Sequence, residues 1–179
     1  MQPEQATFLL QTILPKMERE HQLTRRIIES IPVDRGDFRP DEVSKSAFDL
    51  AWHIAASENR FLDGVASGVV DFSGPARPET LKNSADVAAW YAEAFSRNFS
   101  LVKQLNGDAL AKMLDFRGMF QMPAVELLDL ALRHSIHHRG QLSTYLRPMG
   151  AKVPSIYGES YDAAEARKAA QAQAGQASV

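Results

Sequence analysis

Apolar positions recur at helical spacing in four long stretches of the chain, and nowhere do they alternate convincingly as a strand would require. In residues 5–31, Leu10, Ile13, Leu14, Met17, His21, Thr24, Ile28 and Ile31 lie along one side, with Lys16, Arg19 and Arg26 largely on the others. Pro15 falls inside this stretch, where proline removes a backbone donor and crowds the preceding turn. A short N-terminal piece, kinked into or separate from a longer helix, is therefore expected. Residues 32–40, with prolines, Gly36 and alternating charge, read as a loop. Ser44 or Ser46 can cap a second helix, whose apolar face is Ala47, Leu50, Ile54, Ser57, Phe61 and Val65 and which Gly68 ends. A second loop, 72–83, contains Gly74, Pro75 and Pro78.

A third helix, 84–105, is expected to pack Trp90, Tyr91, Ala94, Phe95, Asn98, Val102 and Leu105 into the core, with Asn106-Gly107 closing it. Residues 110–121 read as a loop with a short irregular piece, in which Met113, Leu114, Phe116, Met119 and Phe120 can cover the end of a bundle. Pro123 suits the first turn of a last long helix that runs to about Arg147, where Pro148-Met149-Gly150 stops it. Gly140 lies within that helix at a cost of about 1 kcal/mol relative to alanine, so close approach of a neighbouring helix or ligand is expected there. Residues 153–158 read as an extended segment laid on the bundle. The Ala/Gln-rich 163–179 lack an apolar stripe and are expected to fray. The expected fold is all-α: a four-helix bundle in one domain over residues 1–160, followed by a tail over 161–179.

The last long helix interrupts its own inward row. Leu127, Leu130, Ala131, His134, His138, Gln141, Leu142 and Tyr145 form one stripe, whereas Glu126, Arg133 and Arg139 point elsewhere. His134 and His138 are separated by about 40° around the helix and one turn along it, so both imidazoles can reach one metal ion. The stripe alone is equally compatible with two hydrogen-bonded core histidines. His53, beside the apolar face of the second helix, is the natural third ligand. His21, on the inner side of the first helix, reads as a packed polar residue and is held as a reserve candidate.

A length of 179 residues, 45% apolar and 23% charged, is enough for one cored domain. No apolar run approaches the roughly 18 residues needed to span a bilayer, and the N-terminus lacks a basic region leading into an apolar core. A soluble, cytoplasmic protein is expected. Zero cysteines exclude disulfides, thiolate zinc sites and cysteine nucleophiles, leaving histidine and carboxylate as protein metal ligands. A formal charge of −2, with no long run of one sign, argues against nucleic acid as a partner. Arg25-Arg26, Arg133 and Arg139 are assigned to solvated helix faces.

Several motifs match a known family. They are Phe38-Arg39-Pro40 with Ser44-Lys45-Ser46, Leu50-Ala51-Trp52-His53-Ile54-Ala55, His134-Ser135-Ile136-His137-His138-Arg139-Gly140-Gln141-Leu142, Leu146-Arg147-Pro148, and Val153-Pro154-Ser155-Ile156-Tyr157-Gly158. Over nearly its whole length the chain resembles the DinB/YfiT-like superfamily. The resemblance implies a four-helix bundle, a divalent metal held by His53, His134 and His138, and often a homodimer. Related members resemble thiol-dependent transferases or isomerases acting with bacillithiol or mycothiol, whereas many others have no assigned activity.

Three imidazoles on a divalent ion, zinc first and nickel next, leave a position for water or substrate. The leading expectation is a metal-dependent hydrolase or thiol-dependent S-transferase acting on a small molecule, with a low-molecular-weight thiol as a candidate partner. Asp49, Ser57, Glu58, His137, Gln141 and Tyr145 are candidate supporting or acid/base groups. The rival reading is a non-enzymatic, dimeric metal-binding bundle. A metal-free interaction module is a third.

Overall fold

Local chemistry sets the ends of the long helices. Helix α1 (Pro3–Glu29) begins where Gln2 and Gln5 bond reciprocally. Helix α2 (Ala47–Ser67) begins at Ser46, whose hydroxyl accepts from the Asp49 amide, and ends at Gly68, which sits at a φ of 75° that glycine adopts without strain. Asn83 and Asp86 form a capping box on α3 (Ser84–Val102). A short α4 (Gly107–Ala111) leads into strands β1 (Met113–Phe116) and β2 (Phe120–Pro123), and α5 (Ala124–Leu146) follows directly. A last helix, α6, spans Tyr161–Ala177, and a 3-10 turn, Val33–Arg35, lies between α1 and α2. This computed structural model describes residues 1–73 and 76–177; Gly74 and Pro75 of the expected second loop, and the last two residues of the tail, lie outside them.

Helix α2 packs on both α3 and α5, and α1 packs on α3 and α5 from the other side. The buried apolar residues form two clusters. One gathers Leu10, Ile13, Met17, Phe61, Leu62, Phe95, Phe99, Leu127 and Leu128; the other gathers Ile27, Ile28, Leu50, Ile54, Val87, Tyr91, Leu142 and Tyr145. Between them runs a buried polar band of His21, Thr24, Ser57, Glu58, Ser135 and Arg139. Each of α1, α2 and α5 therefore changes from apolar to polar and back along its length.

Four expectations are corrected. Helix α1 is continuous through Pro15, because Pro15 and Gln11, whose carbonyl loses its i+4 partner, both lie on the exposed face. Residues 110–121 are not a loop. They contain part of α4 and an antiparallel hairpin in which Leu114 pairs with Met122 and Phe116 with Phe120, so the fold is mostly helical with a small sheet rather than all-α. Arg117 and Gly118 make the turn at positive φ, 59° and 70°. Phe116 stacks on Phe61 at 5.7 Å and closes one end of the core, the covering role anticipated for this stretch. Residues 161–177 are helical instead of frayed. Residues 161–175 are mostly exposed, and the helix is tied down at Asp162, which accepts from Arg147 and from the Val153 amide. Gly140 is exposed, and a Cβ added there would meet nothing within 4 Å, so no neighbour requires the glycine.

Among the described residues no helix is long and apolar enough to cross a membrane.

Candidate metal centre

The polar band opens on one side at three imidazoles. His53 lies on α2 and His134 and His138 on α5, all half-buried, and one ligand nitrogen from each lies within 4.8 Å of the others. Ring centroids are 4.5 Å apart for His53 and His138, 4.5 Å for His134 and His138, and 5.1 Å for His53 and His134. The Nε2 atoms of His53 and His138 face each other at 3.2 Å. Two nitrogens about 2.1 Å from one ion, at roughly tetrahedral or octahedral angles, lie about 3.0–3.4 Å apart, so this spacing suits a shared cation as well as an N–H···N bond.

Supporting contacts orient the rings. The Oε1 of Gln141 accepts from Nδ1 of His138 at 3.0 Å, which places the ring proton on Nδ1 and leaves Nε2 bare toward the cluster. Ser57 Oγ stands 3.5 Å from Nδ1 of His53, at the edge of hydrogen-bond reach. Nδ1 of His134 is buried without a hydrogen-bond partner. Three imidazoles whose ligand nitrogens lie this close, with no carboxylate among them, form a donor set that fits a divalent metal.

Electrostatics keeps the rings neutral. Burial, then His138, Lys45 and Arg60, push the His53 imidazole down to about 4. His134 is likewise pushed down to about 4, by burial first and then by His138, His53 and His137, with Glu58 acting in the opposite direction. Burial also lowers His138, opposed by its bond to Gln141 and assisted by His137 and Lys45. Neutral imidazole is the ligating form, so the site is prepared for a metal near neutral pH.

The other candidates are dispersed. His137 is exposed, its ring 4.9 Å from that of His138. Glu58 is buried in the band, where its Oε2 accepts from the hydroxyls of Tyr91 and Ser135 and its Oε1 lies 3.8 Å from Nδ1 of His21. Burial first, then the Glu58 charge, raises the Tyr91 hydroxyl well above its ordinary range, so it remains a donor. Tyr145 belongs to the second apolar cluster, edge-on to Phe38. Asp49 accepts from Ser46 and Arg77.

Arg139 was expected on a solvated face but is 1% exposed, and it bonds to Glu20, Thr24 and Tyr157. Helix α5 packs on α1 as well as α2, so two of its faces are buried, and Arg139 lies on the one toward α1. Sequence reasoning also passed over Arg60 as a neighbour of the site. It lies seven residues after His53, two helical turns along the same face, a spacing that could have revealed it.

The DinB family model matches residues 3–173. The chain belongs to the DinB family. This DinB-family chain is 30% identical over 130 residues to the uncharacterized protein YjoA of Bacillus subtilis (strain 168), covering 72% of the chain and 82% of YjoA. The crystal structure of YjoA matches its fold with a TM-score of 0.68 at 24% identity, over 82% of the chain and 97% of YjoA. A DinB-like protein from Bacillus cereus gives 0.70 at 21% identity, over 83% and 97%. The mycothiol-dependent maleylpyruvate isomerase gives 0.57 at 13% identity, over 74% of the chain and 60% of that protein. These structural likenesses are likenesses of fold.

Proposed function

We propose that this protein is a divalent-metal-dependent enzyme built on a four-helix bundle of α1, α2, α3 and α5, in which His53, His134 and His138 hold zinc or nickel. Its reaction is a hydrolysis or a thiol-dependent S-transfer on a small molecule. The observation that carries the reading is the convergence of three neutral imidazoles from two helices, with no carboxylate among them. Three protein ligands are the number typical of metal sites that admit water or substrate. A divalent ion held there supplies a Lewis acid that makes a water or a thiol acidic enough to act as a nucleophile near neutral pH.

The chain's own groups divide the remaining work. Gln141 fixes the tautomer and direction of His138. Ser57 is placed to receive the Nδ1 proton of His53 when Nε2 must be bare. Phe61, whose ring centroid lies 6.0 Å from that of His134, walls the site on the core side. The thiol arm takes its direction from the thiol dependence of the mycothiol-dependent isomerase, whose fold this chain shares in part.

Elemental analysis by mass spectrometry of untagged, chelator-washed protein, beside the His134→Ala variant, tests the reading. About one zinc or nickel per chain, lost in the variant, supports it and justifies screening hydrolysis and thiol-transfer substrates; no metal in either protein, and none taken up on titration, overturns it.

A structural role for the metal is a second reading, favoured by the placement of the ligands on two different helices. Strong destabilisation on metal removal, with no turnover of any screened substrate, would select it.

A further inference from the structure

Beyond His53, its face of α2 continues through Ser57 to Arg60, and a cavity of about 460 Å³ opens over it. Arg39, Lys45, Asp49, His53, Ser57 and Arg60 all line this cavity, which therefore meets the three-histidine cluster at His53. Three of the six are basic side chains and one is a carboxylate. That carboxylate is already neutralised: Asp49 accepts from Arg77 at 2.9 Å and from the Ser46 hydroxyl at 2.8 Å, with Arg39 at 3.8 Å. Lys45 has no hydrogen bond or ion pair among the described residues, and its charge reaches both His53 and His138. Arg60, bonded to the Phe72 carbonyl, directs its charge at His53.

The charge around the cluster is therefore lopsided. Glu58, the buried carboxylate that acts on His134, lies on the core side, held by Tyr91 and Ser135. Cations line the open side. A divalent ion held by His53, His134 and His138 would add positive charge beside a cavity that Lys45 and Arg60 already line, a like-charge arrangement that costs free energy until an anion enters the cavity. Only a ligand with negative charge makes the metal and the cations mutually favourable.

We propose that this cavity is a binding subsite for a carboxylate on the small-molecule substrate of the three-histidine site, held by Lys45 and Arg60. The assignment rests on the metal reading above. Lys45 is the discriminating residue, because it is exposed and partnerless among the described residues, so its replacement leaves the fold intact.

The test uses cobalt-loaded full-length protein and follows the cobalt visible absorption while titrating 3-mercaptopropionate or its neutral amide, 3-mercaptopropionamide. The wild type is expected to bind the carboxylate more tightly. Lys45→Gln should reduce that preference about tenfold, the size of one charge-assisted contact, and Lys45→Gln/Arg60→Gln should reduce it further. Arg97→Gln, outside the cavity, should leave it unchanged. Equal binding of the two thiols by a cobalt-loaded wild type overturns the inference and leaves the metal reading standing. So does a preference that survives Lys45→Gln. Absence of any cobalt band overturns the metal reading and, with it, the subsite. If the double variant fails to fold, Lys45→Gln alone decides.

Discussion

Two groups of imidazole chemistry, one within the buried polar band and one where the band opens, are built in opposite ways. Around His21 the neighbouring helices supply an aromatic face and a carboxylate, although Nδ1 of His21 itself makes no hydrogen bond. The ring, 3% exposed, stacks on Phe95 at 3.7 Å and lies 3.8 Å from Glu58, while Glu58 takes the hydroxyls of Tyr91 and Ser135. At His53, His134 and His138 the charged complement is missing: three like rings crowd together with no carboxylate among them. The first arrangement is closed and belongs to the fold. The second leaves lone pairs for something outside the chain. Burial of polar groups is common to both, so only partner chemistry separates a structural histidine from a ligand.

The sharpest way to break this contrast is to remove a complement from the closed group. Glu58→Ala leaves the Tyr91 and Ser135 hydroxyls buried without an acceptor and is expected to lower unfolding stability by about 2–4 kcal/mol in urea denaturation. If the variant instead kept full stability but lost metal, Glu58 would belong to the open group. Within the open group, Gln141→Ala should lower metal affinity about 10–100-fold in a chelator competition while hardly moving the stability of metal-free protein, because Gln141 is exposed and acts through His138.

Acid acts on the open group through two of its rings. Folded His53 and His134 titrate at about 4, against an ordinary value of 6.5, so between those values the unfolded chain binds more protons than the folded one. Their contribution is complete above about pH 6.5. It is lost progressively as the pH falls toward 4, and these two rings add no further loss below that. Chelator-stripped protein should therefore show a urea midpoint that declines through this window. His53→Gln/His134→Gln, which removes both titrating rings, should flatten the decline.

The open group was the more legible of the two, because its spacing is local. His134 and His138 are one helical turn apart, and His53 marks the corresponding face of α2, whatever the rest of the chain does. The closed group depends on contacts across 33 residues between Glu58 and Tyr91 and across 77 between Glu58 and Ser135, which no single-helix pattern encodes. Arg139 was misread for a related reason: a helix packed on two neighbours buries two faces, and a single-stripe reading assigns one of them to solvent. The hairpin escaped because four-residue strands are too short to display an alternation. Lys45 is invisible to helical spacing, since it precedes the Ser46 cap and its position depends on how the loop before α2 returns.

The smallest effect tests whether the helix segment beside the open group is itself adapted to a ligand. Gly140 follows His138 by two residues, and a mid-helix glycine ordinarily costs about 1 kcal/mol relative to alanine. A tight approach would justify it, yet an added Cβ would meet no atom within 4 Å and the position faces solvent. Gly140→Ala should therefore stabilise the protein by about 0.5–1 kcal/mol, and by the same amount with and without metal, because the gain comes from restricting the unfolded chain and strengthening α5 rather than from the site. Paired urea titrations of metal-free and metal-loaded protein measure both numbers. A stabilisation that appears only without metal, or a loss of metal affinity, would mean that α5 must flex at Gly140 to seat the ion, and that the open group extends further along the helix than its three rings.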